Sequence, residues 1–125
     1  ADQIKNKMIK KKINIKKANI LIMGFTFKEN CPDIRNTKIL DLIKGINKYN
    51  SNIDVYDPWA NKKKVKNNFG INLISRPHKA KYHAIILAVA HDDFKKLSLK
   101  QIRSLGKKKH IIYDLKNLLQ FKEIN

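Results

Sequence analysis

The segment "GFTFKENCPDIR", residues 24–35, carries side chains suited to binding anions. Lys28 offers an ammonium group on a flexible stem, which serves as a point-charge partner for phosphate. Arg35 offers a planar fork of donors that suits phosphate or amide oxygens. The structural alternatives are a solvated surface lysine at Lys28 and a salt bridge between Arg35 and Asp33. The segment predicts an anion-binding loop, with these alternatives still open.

The same segment does not predict a dinucleotide-binding turn. Such a turn follows the pattern G-x-G-x-x-G, whose glycines allow a tight turn and a close approach of the backbone to a pyrophosphate. Here Gly24 stands alone and the bulky sequence "FTFK" follows it. We therefore expect any phosphate near this turn to be bound by a side chain, with Lys28 as the candidate.

Neither nucleophilic nor metal chemistry is predicted elsewhere in the chain. Cys31 has no histidine near it in sequence and precedes Pro32, so it is interpreted as an ordinary loop thiol. The segment "HDDF" from position 91 places a histidine and two carboxylates consecutively, without the convergent spacing of metal ligands. Asp92 or Asp93 is instead expected to cap a helix. We predict no catalytic residue and no metal ligand in this sequence.

Alternating strand and helix patterns predict the elements that position these residues. Helical patterns occupy residues 1–12 and follow each of the first two strands, with Asn36 or Thr37 as a cap and Pro58 near a first turn. A further helix is predicted in "LSLKQIRSL". Five strands are predicted, in the segments "ANILIMGF", "IDVYD", "INLI", "AIILAVA" and "HIIYD". This order predicts an α/β, Rossmann-like three-layer domain with a mainly parallel sheet of about five or six strands.

Ligands of such sheets bind beyond the carboxyl ends of the strands, near the switch in strand order. Phe27 and Lys28 follow the first predicted strand, and Asp57 follows the second. Residues 91–93 follow "AIILAVA", and residues 114–116 follow "HIIYD". We therefore expect these four groups to lie at one edge of the sheet.

Composition narrows the class of protein without identifying a ligand. The chain has 125 residues, 42% hydrophobic, which is enough for one domain. Its single cysteine favours a reducing compartment, and its apolar runs are shorter than the ~20 residues of a membrane helix, so we expect a cytoplasmic protein. The net charge of +18 would suit nucleic acid. Because arginine is scarce and lysine accompanies abundant Asn and Ile, a general compositional bias is the preferred explanation.

Several motifs together resemble one family. The motif "GFTFKENCPDIRNTK", with "VYDPWA", "AIILAVAHDDFKKL" and "IIYDLKNLL", resembles the C-terminal domain of the UDP-glucose/GDP-mannose dehydrogenases. The branch that oxidises UDP-N-acetylhexosamines is the most similar. The resemblance implies an NAD-dependent oxidation of the sugar C6 alcohol to a carboxylate, for surface polysaccharide synthesis. It also implies that the NAD domain and the nucleophilic cysteine lie outside this chain, so the chain alone is expected to be inactive.

The resemblance also implies roles for individual residues. Phe27 and Lys28 match a substrate-contacting pair, and Lys116 matches a late position where UDP-glucose-using relatives carry an arginine. Arg35 matches the arginine that reaches across a cleft to NAD on the other domain. Asp33, close to a helix N-terminus, is expected to hold Arg35 in place. For Lys116 the alternative of an exposed lysine stays open.

The predicted organisation has two parts. Residues 1–12 are expected to be the end of a central dimerisation helix region, and residues 13–125 the UDP-sugar-binding domain. The expected partners are a UDP-sugar, the rest of the polypeptide and, in the full-length protein, a second copy; no membrane partner is expected. A basic nucleic-acid-binding module and a non-catalytic interaction domain remain the alternative functions.

Overall fold

The protein is described from a computed structural model that covers residues 1–119. Its sheet has four parallel strands in the order β2-β1-β3-β4. The strands are β1 (Asn19–Met23), β2 (Asn52–Tyr56), β3 (Tyr82–Leu87) and β4 (Gly106–Asp114). The helices are α1 (Asp2–Lys10), α2 (Ile39–Asn47), α3 (Lys62–Phe69), α4 (Asp92–Lys95) and α5 (Leu99–Arg103). The last residues of the predicted domain, 120–125, lie outside the described part.

The core forms two layers because the central strands are apolar on both faces. In β1, Ile20 and Ile22 face one cluster, whereas Leu21 and Met23 face the other. Helices α1, α2 and α3 cover the first face, and α4 and α5 cover the second. Such continuous apolar strands are typical of parallel sheets buried between helices. The predicted three-layer α/β architecture is confirmed.

The third predicted strand, "INLI", is much shorter than expected. Only Leu73 pairs, through an isolated parallel bridge to Val55 of β2, with the amide of Ile74 donating to the Val55 carbonyl at 2.9 Å. Pro77 lacks an amide donor and follows shortly after, in a segment of bends. The sheet therefore has four strands plus one bridge. With the bridge counted as the third strand along the chain, the strand order is 3-2-1-4-5, which is the Rossmann order without its sixth strand, and the switch point lies between β1 and β3.

Three helix starts differ from their predicted positions. Helix α3 begins after Asn61, whose side chain accepts from the Lys64 amide at 3.0 Å, so Pro58 lies before its first turn. His91 occupies the N-cap position of α4, which places Asp92 and Asp93 inside the helix. Helix α2 begins after Lys38, although the Thr37 hydroxyl still accepts from the Ile39 amide at 3.2 Å.

Candidate functional site

A cleft of about 150 Å³ lies where β1 and β3 end, and we refer to it as the switch-point cleft. It contains all three side chains predicted to contact substrate: Phe27, Lys28 and Lys116. It also contains Lys38, which the sequence analysis did not single out. The full lining consists of Thr26, Phe27, Lys28, Glu29, Lys38, Ile39, Ala88, Val89 and Lys116.

The switch-point cleft is strongly cationic. Lys28, Lys38 and Lys116 line it together with one carboxylate, that of Glu29. Within residues 1–119, none of the three ammonium groups has a hydrogen-bond or ion-pair partner. Several lysines that line one cleft without protein partners favour a ligand that carries more than one negative charge. The arrangement suits a diphosphate.

Gly24 explains why one glycine is enough at this turn. Its φ of +110° is disfavoured for other residues, and a Cβ there would lie 2.6 Å from Cβ and 2.7 Å from the amide nitrogen of Val89. The missing side chain therefore makes room for the turn after β3. Val89 occupies that space, and the side chain of the next residue, Phe25, is buried in the core.

Arg35 lies on a different cleft from Lys28. That cleft has a volume of about 790 Å³ and includes Asp33, Arg35 and Lys64 among its lining residues. Arg35 Nε and Nη2 donate to the two carboxylate oxygens of Asp33 at 3.0 and 3.1 Å. These hydrogen bonds lower the pKa of Asp33 and raise the pKa of Arg35. The Arg35 side chain nevertheless remains 85% exposed, so its outer face is available to a further partner.

Three buried polar side chains lie behind the switch-point cleft. Thr26, Asp57 and His91 are the buried polar residues of the described chain, and they form one network. Burial favours the neutral acid of Asp57, but hydrogen bonds from His91 and from the amides of Phe25 and Thr26 outweigh burial and lower its pKa. The sequence analysis placed Asp57 and His91 at strand ends but missed their pairing. The available signal was that each of them follows a predicted strand.

A second, larger basic cleft lies at the opposite end of the sheet. It has a volume of about 660 Å³ and is lined by residues before β1 and β3 and at the start of β4, including Lys12, Lys107, Lys108 and Lys109. Ligands of this fold bind at the carboxyl ends of the strands, so the smaller switch-point cleft is the better candidate.

Metal and membrane sites were also considered over residues 1–119. This part of the chain contains no group of three or more His, Cys, Asp or Glu side chains placed to hold a metal ion. None of its helices has the length and apolar character needed to cross a membrane. Cys31 is a free, partly buried thiol.

Comparison with known proteins identifies the family. Residues 21–121 match the family model described as "UDP-glucose/GDP-mannose dehydrogenase family, UDP binding domain". The chain belongs to this family. The match includes every residue predicted to contact a ligand, and it confirms the resemblance inferred from the motifs.

The most similar curated relatives include two UDP-N-acetyl-D-glucosamine 6-dehydrogenases. The protein from Salmonella typhi is 47% identical over 119 residues, covering 95% of this chain and 28% of that protein. The protein from Pseudomonas aeruginosa is 45% identical over 117 residues, covering 94% of this chain and 28% of that protein. This chain therefore spans little more than a quarter of the length of these relatives.

A solved structure supports the fold. The UDP-D-ManNAc dehydrogenase from Pyrococcus horikoshii superposes with a TM-score of 0.75 at 21% identity, covering 94% of this chain and 26% of that chain. At this level of identity the likeness establishes the shared Rossmann-like architecture.

Proposed function

We propose that this chain is the UDP-sugar-binding domain of an NAD-dependent nucleotide-sugar 6-dehydrogenase. The substrate is a UDP-N-acetylhexosamine or UDP-glucose, and the product is the corresponding uronic acid for surface polysaccharide synthesis. Family membership and the two UDP-N-acetyl-D-glucosamine 6-dehydrogenases support this proposal.

The convergence of three unpaired lysines at the switch point is the observation that carries the proposal. Lys28 and Lys38, from the connection between β1 and α2, and Lys116, from the turn after β4, line one cleft. A diphosphate bound there neutralises the positive charge that exceeds the one carboxylate in the lining, that of Glu29. Phe27, with its side chain half exposed, offers a flat apolar surface to the uracil or sugar ring. The cleft is smaller than a typical ligand pocket, so part of the substrate extends beyond it.

NAD and the reacting groups belong to other parts of the polypeptide in this proposal. The β1–α2 turn lacks the further glycines that let a backbone approach a dinucleotide, whereas Arg35 is exposed on the neighbouring cleft. Arg35 then contacts NAD across a cleft between domains, and the NAD itself supplies hydride acceptance. Residues 1–12 are the end of a central helical region through which the full-length protein dimerises. The isolated chain is inactive, and the whole enzyme is cytoplasmic.

Isothermal titration with UDP tests the proposed ligand. The chain should bind UDP more tightly than UMP at physiological salt, because the second phosphate adds negative charge within reach of the lysines. Lys28→Ala should lower the affinity for UDP roughly tenfold or more, as expected for the loss of a hydrogen bond to a charged group. Lys63→Ala is the matched control, since Lys63 is an exposed lysine of α3 outside the switch-point cleft.

A random oligonucleotide separates this function from that of a basic nucleic-acid-binding module. Nonspecific binding to nucleic acid should fall steeply with salt and respond alike to Lys28→Ala and Lys63→Ala. If the chain binds the oligonucleotide but not UDP, or if both lysine variants weaken UDP equally, the proposed site is wrong.

A further inference from the structure

His91 is fully buried, and its ring nitrogens bond to two different segments. Nδ1 accepts a hydrogen bond from the Asn30 amide at 2.9 Å. Nε2 lies 3.0 Å from Asp57 Oδ2 and 3.2 Å from Thr26 Oγ1. The ring also stacks on Trp59, with a centroid separation of 6.0 Å, and contacts the edge of Phe94 at 5.4 Å. Both the plane and the direction of the imidazole are therefore fixed.

These contacts indicate which ring nitrogen of His91 carries the proton. A nitrogen that accepts from an amide carries no proton, so the Asn30 bond requires an unprotonated Nδ1. The proton of the neutral ring is then on Nε2, where it is donated toward Asp57. The short Asp57–His91 contact is thus a hydrogen bond from a neutral imidazole to a carboxylate.

The negative charge of the Asp57 carboxylate is stabilised by hydrogen-bond donors and not by a cation. Its Oδ2 accepts from the amides of Phe25 and Thr26 at 2.6 and 3.0 Å, in addition to His91. Its Oδ1 accepts from the amide of Trp59 at 2.7 Å. Two of these amides begin the β1–α2 loop, so Asp57 and His91 together fix the start of that loop.

The other end of this part of the β1–α2 loop, at Asn30, is attached to the turn after β3 and to the start of α4. The Asn30 amide donates to His91, while Asn30 Oδ1 accepts from the Asp92 amide at 2.9 Å. Between the two attachments lie Phe27, Lys28 and Glu29, which are exposed. The Thr26 hydroxyl also donates to the Lys28 carbonyl at 3.1 Å. The loop is therefore held at both ends while its ligand-facing side chains remain free.

We propose that His91 is a positioning residue for the switch-point cleft: it attaches Thr26 and Asn30 to the turn after β3 and thereby orients Phe27 and Lys28 toward the ligand. Its role in substrate binding rests on the proposed function. The benefit is entropic, because a loop that is already ordered loses less freedom when UDP binds.

Three substitutions test the attachments at Thr26 and Asn30 one at a time. His91→Gln retains a donor near the Nε2 position and loses the acceptor for Asn30. His91→Asn retains an acceptor near the Nδ1 position and loses the donor to Asp57. Asn30→Gly is the variant least disruptive to folding, because Asn30 is exposed and its φ of +53° suits glycine. It removes only the bond to the Asp92 amide.

Amide hydrogen exchange without ligand tests the attachment itself. The Phe27 amide, which donates to the Asp33 carbonyl at 2.8 Å, reports closure of the loop. Its protection should fall about tenfold in Asn30→Gly and in both His91 variants, the scale of one lost hydrogen bond. The amide of Ile22 in β1 is the reference and should keep its protection in Asn30→Gly. Unchanged Phe27 protection in either His91 variant that keeps the protection of Ile22 would overturn the proposal. Asn30→Gly keeps both His91 contacts, so it measures how much the bond to the Asp92 amide adds to them.

A double-mutant cycle with UDP tests the link to binding. His91→Gln should weaken UDP binding about fivefold in the wild-type background but less than twofold in Lys28→Ala, because the effect acts through Lys28. A fivefold loss in both backgrounds, or no loss in either, contradicts the positioning role and leaves the proposed function intact. If the wild-type chain binds no UDP, the proposed function fails, while the exchange measurement still decides whether His91 holds the loop.

Discussion

Gly24 and Val89 meet where the first and third strands of the sheet diverge. A Cβ atom on Gly24 would lie 2.6 Å from Val89 Cβ, closer than real Cβ contacts allow. The end of β1 therefore passes directly against the turn that leads to His91. This contact allows the β1–α2 loop and the turn after β3 to share one cleft.

Gly24→Ala should lower the free energy of unfolding substantially. Overpacking against Val89 costs about 1–3 kcal/mol, and backbone strain at positive φ adds about 1–3 kcal/mol. Urea denaturation followed by circular dichroism measures the loss. Gly70→Ala is the control, because Gly70 also has positive φ but open space around it. If both variants lose the same stability, the contact with Val89 is not what requires glycine.

Lys38 and Lys116 should each contribute to UDP affinity. Replacing either lysine by alanine should reduce the free energy of UDP binding by about 1.5–3 kcal/mol if a hydrogen bond to a charged group is lost. A smaller loss indicates a screened, longer-range attraction. Titrations at several salt concentrations distinguish the two cases, since only the second effect disappears at high salt. If Lys38→Ala binds UDP like the wild type at all salt concentrations, Lys38 has no part in the site.

Arg35 and Lys28 should affect different ligands in the full-length enzyme, since they line different clefts. Arg35→Ala should raise the NAD requirement by about 1.5–3 kcal/mol while leaving UDP binding nearly unchanged. Asp33→Asn should have a smaller effect of the same kind, because the guanidinium loses the carboxylate that orients it. Steady-state kinetics with each substrate varied provides the measurement. Equal weakening of UDP by Arg35→Ala and Lys28→Ala would show that the two residues share one ligand.

The buried carboxylate of Asp57 should make folding sensitive to acid. Its folded-state pKa lies below the unfolded value of about 3.9, so its stabilising contribution is complete above that pH and is lost as the pH falls through the folded pKa. Asp57→Asn should be less stable than the wild type at pH 7, by about 1–3 kcal/mol, and the difference should narrow below about pH 4. Urea titrations from pH 7 to pH 3 test this. Asp41→Asn, at an exposed position of α2, is the control.

The apolar pattern predicted the architecture because strands that are buried on both faces can be recognised from the sequence. The runs around Leu21 and Ile85 are apolar at consecutive positions, as a strand covered by helices on both sides requires. The segment around Leu73 is also rich in apolar residues, although Asn72 interrupts it, and it forms only one bridge. Apolar side chains indicate that a segment is buried, whereas the number of ladder bonds depends on how the neighbouring chain approaches Val55.

The candidate site was only partly predictable for a similar reason. The motif and its resemblance placed Phe27, Lys28 and Lys116 at strand ends, and the fold brought them to one cleft as expected. Lys38 was missed because nothing in the sequence distinguishes it from the many other lysines. Its position beside the cleft depends on where α2 begins.

The sequence by itself determined the parallel α/β fold, the family and the loop that carries the charges. Each of these follows from local composition or from motifs that lie within one segment. Tertiary structure alone decided that Asp57 and His91, far apart in the chain, share a hydrogen bond, and that Lys28 and Arg35, close in the chain, line different clefts. Proximity across strands depends on sheet order, and the direction of a side chain depends on the turn that carries it. Neither the proximity nor the direction can be predicted from the residue type alone.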